Sequence, residues 1–279
     1  MSELIWSDFD INSENSQKMI KAKQVNGPDY WPTMREVFKY DCNHLPLPRF
    51  RLWASCWNVP FITQYRTSRF LGEAFYHAAR DPAIASALEE NWIGAPDHIR
   101  DALRVASDFD TSMQRIQDVA HLCITGFAHE LKNYKSIVEI GAGYGDMCSV
   151  VHDMGFRGEY TIVDIPETQP LQNYYLGKQE IEPKWSFEDD NVTHADLVIA
   201  TWSLSETPVE YRNKLMPKIE KSKNWLILAQ SAIFGEAVND DYFNKFFADK
   251  NVETIPLVSS GLDKWDGGNT YYVVREKQK

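Results

Sequence analysis

The segment SIVEIGAGYGD, residues 136–146, constrains this chain more than any other. An apolar, β-branched run meets Gly141, Gly143 and Gly145 at alternate positions, and a helix-compatible stretch ending in DMCSVVHDMG follows at once. Strand, glycine turn and helix in that order are how a parallel α/β sheet opens a crevice for a ligand. Glycine allows the sharp turn and lets a ligand approach main-chain N–H groups with no Cβ in the way. A chain with this junction is expected to build the rest of such a sheet around it.

The sequence downstream agrees. Short apolar runs at 136–140, 160–164, 183–187, 195–201, 224–230, 252–258 and 270–276 alternate with helical stretches, which predicts seven strands with helices between most of them. Only SSGLDKWDGGN separates the last two runs, too little for a helical crossover, so the final strand is expected to return antiparallel. Upstream the texture is different: YWPTMREVFKY, SRFLGEAFYHAAR and DPAIASALEENW read as helices separated by proline-containing turns, and residues 97–133 predict one or two long helices. The fold class is therefore α/β, a Rossmann-like seven-stranded sheet with its last strand antiparallel and a mostly helical N-terminal region. The expected division is a substrate cover or dimerisation region over 1–130 and a catalytic domain over 131–279.

Chemistry-bearing residues gather at the carboxyl ends of the predicted strands. The turn is GxGxG followed by Asp146, not the GxGxxG of dinucleotide enzymes, and Glu139 stands just before it. A carboxylate there repels a pyrophosphate and suits an ammonium group. Asp164 closes the second strand about twenty residues on, where an acid accepts hydrogen bonds from both hydroxyls of a ribose; its alternative use is to cap the helix that begins near Glu167. Phe187, Glu188 and Asp189 follow the third strand, where an apolar wall and a polar acceptor suit a purine. After the fourth strand come Trp202, Ser203, Ser205 and Glu206. Glu206 is placed to deprotonate or orient a hydroxyl acceptor, or else simply to favour the start of a helix.

Candidates outside this edge are fewer. His121 and His129, in the helix leading to the sheet, are the histidines best placed to act as a base near neutral pH, against the plainer use of packing. Tyr65 and Trp57 offer aromatic surface to a substrate, while Arg66 and Arg69 offer a phosphate or carboxylate site or ordinary pairing with nearby acids. A net charge of −11 with no Lys/Arg-rich run argues against nucleic acid as the partner. Four cysteines show neither zinc spacing nor a disulfide framework. No segment reads as a signal peptide or membrane span, so a cytoplasmic protein is expected. No metal is required, although Asp189–Asp190 and Asp240–Asp241 are acidic pairs.

Taken together, VEIGAGYGD, YTIVDIPET followed by NYYL, and ADLVIATWSLSET resemble the sugar O-methyltransferases, a branch of the class I S-adenosylmethionine-dependent enzymes. The resemblance covers roughly residues 135 to 235. It implies that Gly141, Gly143, Gly145 and Asp164 hold S-adenosylmethionine with support from Glu139, and that S-adenosylhomocysteine is the product. The acceptor it implies is a hydroxyl of a small molecule, a sugar or sugar nucleotide; the residues' own placement makes Trp202, Ser203, Tyr65 and Arg66 the expected substrate contacts and Glu206 or His121 the expected catalytic groups. A nicotinamide-dependent sugar oxidoreductase is the main alternative. It should carry GxGxxG and a Tyr-x-x-x-Lys pair, whose nearest match, Tyr174 to Lys178, falls in the helix after the second strand. A non-catalytic cofactor-binding partner of another methyltransferase is the third reading, and it would be expected to lack base candidates.

Overall fold

The computed structural model describes residues 30–53, 68–97, 100, 110–187, 192–231, 239–257 and 268–276. The N-terminal part contributes helices α1 (Tyr30–His44), α2 (Ser68–Ala78), α3 (Pro82–Leu88) and α4 (Met113–Ile124). Helix α3 starts where it does because Asp81 accepts from the Ala83 N–H at 2.9 Å and Pro82 presets the first turn. Helix α4 is capped by Ser112, whose Oγ accepts from the Arg115 N–H at 3.2 Å. It ends at Ile124, two residues before Gly126, which takes a left-handed φ of 75°. The long helix expected toward residue 133 is thus a 12-residue one followed by two 3₁₀ turns, Phe127–His129 and Leu131–Asn133. Residues 101–109 lie outside the described residues.

From residue 136 strands and helices alternate: β1 (Ser136–Ile140), α5 (Asp146–Asp153), β2 (Glu159–Asp164), α6 (Gln169–Gly177), β3 (Lys184–Phe187), β4 (Leu197–Thr201), α7 (Ser203–Glu206), α8 (Val209–Ile219), β5 (Asn224–Gln230), α9 (Asn239–Phe246), β6 (Val252–Pro256) and β7 (Asn269–Val274). They form one sheet in the order β3–β2–β1–β4–β5–β7–β6. Strand β7 runs antiparallel to both β5 and β6, and the other pairings are parallel. This is the Rossmann-like seven-stranded sheet with an antiparallel last strand that the apolar runs predict. The strand order reverses between β1 and β4, and in open sheets of this kind ligands bind beyond the carboxyl ends at that point.

Both faces of the central strands are buried, which is why those strands read as continuous apolar runs and not as alternating ones. On one face Ile137, Ile162, Leu197 and Leu226 pack with Ile116, Val119 and Leu122 of α4, and the same core continues through Phe50, Phe70 and Ile84. The N-terminal part therefore shares its core with the sheet. On the other face Val138, Val198 and Ile227 pack with Leu215, Ile219 and Phe243 of α8 and α9. Burying each such side chain contributes roughly 1.5–3 kcal/mol. A buried pair, Arg51 to Glu90 at 2.9 Å, braces the join; Ser112 donates to Glu90 at 2.6 Å, and the Arg51 guanidinium lies 5.2 Å from the Tyr144 ring in the glycine turn.

Candidate active site

A cavity of about 630 Å³ opens at the carboxyl ends of β1, β2 and β4. Its floor is the turn after β1. Gly141, Gly143 and Gly145 hold φ values of 73°, 60° and 103°, the left-handed region that disfavours any side chain. At Gly141 the need is also spatial, because a Cβ would stand 2.3 Å from the Ser203 Cβ. Gly141 and Gly143 line the cavity, whereas Gly145 sits behind it as the cap of α5, against Leu176.

The wall beside this turn is made of hydrogen-bond acceptors. Glu139 is buried at 3% exposure and accepts from the Tyr160 hydroxyl at 2.8 Å. Burial pushes its carboxyl up to about 8, the nearby Asp164 and Asp146 push the same way, and the Tyr160 bond opposes them. Asp118, from α4, is raised well above the usual carboxylate range by burial and then by the charge of Asp146; Gln114, one turn earlier, donates to its two oxygens at 3.1 Å. Asp146 is raised by burial despite Arg115, which donates to it at 3.2 Å, and Tyr175, which donates at 2.7 Å. Its second oxygen, Oδ2, and Oε1 of Gln114 are buried with no partner. Gln114, Asp118, Glu139 and Asp146 all line the cavity. Acceptors with unmet capacity and neighbouring carboxylates call for a cationic N–H donor.

Asp164 closes the far side. Its Oδ1 accepts from its own neighbour's N–H, Ile165, at 2.8 Å, and its Oδ2 accepts from Gln172 Nε2 at 2.9 Å. Burial lifts its carboxyl to about 6 against those bonds. It caps no helix: α6 begins at Gln169 without a side-chain cap. Gln172 also donates to the Gly143 carbonyl at 3.0 Å, so one amide joins the glycine turn to the acid. Phe187 is the cross-strand partner of Asp164 but does not line the cavity, and Glu188 and Asp189 lie outside the described residues.

The third edge follows β4. Trp202 has a φ of 63°, rare for a large side chain, and its indole donates to Asn269 at 2.8 Å. The Ser203 hydroxyl donates to the Ile140 carbonyl. Both residues touch the cavity, although each has its polar group engaged within the fold. Glu206 lines the same cavity; burial lifts its carboxyl to about 7, and a bond from Gln230 Nε2 at 3.1 Å works against that rise. His121 is not brought to this place. It is fully buried, hydrogen-bonded through Nδ1 to the Tyr271 hydroxyl at 2.7 Å and set 5.3 Å from the Trp202 ring, and burial lowers it to about 3. His129 instead lies on the surface near Asp81, at 3.3 Å. Tyr65, Arg66 and Trp57 lie outside the described residues, and Arg69 donates to the Pro256 carbonyl at 2.8 Å.

Helix α1 closes the cavity from above with Pro32, Arg35 and Phe38, and Arg35 grips Glu167 through two bonds of 3.1 Å. Sequence reasoning missed Arg35, Gln114, Asp118, Gln172 and Gln230. For Gln114 and Asp118 a signal existed, since their four-residue spacing places both on one helix face. Among the described residues there is no group of three or more side chains arranged to hold a metal ion, and no helix is long and apolar enough to cross a membrane.

No protein-family model and no curated protein matches the chain. Among solved structures it is similar to an S-adenosylmethionine-dependent methyltransferase from Clostridium acetobutylicum, at 11% identity over 56% of this chain and 89% of the other, with a TM-score of 0.43. It is likewise similar to an rRNA methylase from Streptococcus thermophilus, at 11% identity over 56% and 95% of the two chains, with a TM-score of 0.40. Likenesses this loose carry no inference about activity.

Proposed function

We propose that the protein is an S-adenosylmethionine-dependent methyltransferase that acts on a hydroxyl of a small-molecule acceptor, a sugar or glycoconjugate precursor. The observation that carries the cofactor is the acceptor-lined wall, where Asp146 Oδ2 and Gln114 Oε1 lack donors beside Glu139 and Asp118. An α-ammonium fills that need; a pyrophosphate would meet like charge. Asp164 lines the same cavity on its far side, where an acid can accept from ribose hydroxyls, and the left-handed turn presents backbone with no side chain between it and a ligand.

When bound, S-adenosylmethionine supplies a methyl group on a positively charged sulfur. The acidic wall would hold its ammonium and Asp164 its ribose, beside the glycine turn. Transfer of that methyl to an acceptor oxygen, with S-adenosylhomocysteine leaving, would free the hydroxyl proton, which Glu206 on the cavity wall is placed to take. A carboxyl near 7 is half ionised at neutral pH, which suits that transfer. Most of the rate is expected from holding nucleophile, methyl and sulfur collinear. The sugar reading rests on the motif resemblance, and helix α1 would serve as the cover over the acceptor.

Calorimetric titration with S-adenosylhomocysteine and with NAD tests the cofactor. S-adenosylhomocysteine is expected to bind and NAD to give no heat; tighter binding of NAD would overturn the reading. For the base, release of S-adenosylhomocysteine is followed over a panel of monosaccharides and sugar nucleotides with wild type and Glu206→Gln. Turnover should fall about 10²–10⁴-fold while product affinity holds.

A further inference from the structure

We propose that Gln230 is a positioning residue for Glu206: its side-chain amide fixes one carboxylate oxygen so that the other faces the acceptor. This rests on the reading of Glu206 as the base. The geometry is a clamp on α7 built from one rung of the sheet. Gln230 and Asn269 are direct partners across β5 and β7. Asn269 accepts from the indole of Trp202, the residue before α7, at 2.8 Å, and Gln230 donates to Glu206, its last residue, at 3.1 Å. A single rung therefore grips both ends of the four-residue helix. Between those points the Ser205 hydroxyl donates to the Trp202 carbonyl at 2.7 Å and accepts from the Gln230 N–H at 3.3 Å, and Asn239 donates to the Ser205 carbonyl at 3.0 Å.

The contact chosen at Glu206 is directional. Nε2 reaches Oε1, and Glu206 itself lines the cavity while Gln230 does not. Thr201, Thr207 and Tyr211 share this part of the wall. Arg212, on α8, is drawn onto Asn239 at 2.8 Å, Arg35 is held by Glu167, and the acids Glu36, Glu167, Asp164, Glu139, Asp118 and Asp146, with Tyr144, line the rest of the cavity. Burial and the Gln230 amide are what set the carboxyl of Glu206, the first raising it and the second lowering it. Loss of a donor to a charged acceptor should move the titration by about one pH unit.

The test needs no acceptor. In full-length protein labelled with ¹³C at the glutamate carboxyl, the resonance of Glu206 is identified by its disappearance in Glu206→Gln and titrated in wild type, Gln230→Met and Gln230→Lys. Gln230→Met removes the donor at similar length, and the midpoint should rise by about one unit. Gln230→Lys replaces the amide with a charged donor, and the midpoint should fall. Opposite shifts are what a positioning contact produces and a purely structural role does not. An unchanged midpoint in both variants, or the same direction in both, overturns the proposal. Normal turnover of Glu206→Gln would instead remove the base reading, and the titration would still report whether the contact with Gln230 exists.

Discussion

Cofactor binding should be driven by proton release, and the acidic wall sets its size. Without a cation in place, burial holds Glu139 near 8, so at pH 7 most molecules carry a proton there, and Asp118 is raised by the same cause. An ammonium ligand favours the ionised carboxylate, so its arrival expels the proton. If Glu139 alone is counted, affinity for S-adenosylhomocysteine should weaken about 50-fold, or about 2.3 kcal/mol, between pH 8 and pH 6, approaching tenfold per pH unit at the lower end. Calorimetry in two buffers of different ionisation enthalpy reads the released protons directly, with close to one expected at pH 7. Glu139→Gln should flatten the pH dependence and weaken binding throughout. An affinity that stays level from about pH 6 to pH 8, with no dependence of heat on buffer, would refute the reasoning.

The unliganded protein carries the converse cost. Glu139 has a folded value above its unfolded one, so the destabilisation it imposes grows as pH rises from about 4.5 to about 8 and is complete above that; Glu139→Gln should therefore raise the melting temperature of the apoprotein at pH 8 and change it little at pH 4. Asp164→Asn should weaken S-adenosylhomocysteine by about 1.5–3 kcal/mol, Asp164→Ala by more, with unchanged circular dichroism; equal affinities would leave Asp164 only its local bond to Ile165. Gly141→Ala should cost about 2–4 kcal/mol, combining a positive φ with a Cβ 2.3 Å from that of Ser203, and a melting temperature equal to wild type would contradict the turn geometry. Arg51→Ala leaves Glu90 buried without its partner and should cost about 3–5 kcal/mol in urea unfolding, far more than Arg35→Ala, whose pair with Glu167 is partly exposed.

The strands were the most legible part of the sequence. Residues 136–140 and 224–230 were read to the residue, because strands buried on both faces leave unbroken apolar runs. The run at 252–258 was read too long. It ends at Pro256, and β6 is an edge strand whose mixed burial blurs its limits. The helix before the sheet was overextended because apolar spacing continues past Gly126 while the backbone turns left-handed there. At the site, Glu139, Gly141, Asp164 and Glu206 were found because each adjoins a strand end, where local pattern and chemistry coincide. Gln172 and Gln114 lie within helices, and Gln230, though it ends β5, carries no charge to single it out. An amide is ordinary in a helix or at a strand end, and its value comes from partners that only the folded chain supplies, 29 residues away for Gln172 and the Gly143 carbonyl. His121 shows the opposite failure: a ring with suitable chemistry and helix position is turned into the core, where burial keeps it neutral.

The place of β7 between β5 and β6 has a consequence for how the molecule is assembled. Strand β6 emerges from the ribosome earlier yet, among the described residues, pairs only with β7, so it must wait, and the outer rim of β5 stays unsealed until residues 269–274 arrive. The same late strand brings Asn269, which secures the left-handed Trp202. A nascent chain halted before that point would hold its turn after β1 already shaped and its turn after β4 unsecured. It would also display a bare strand edge able to template pairing with a neighbour.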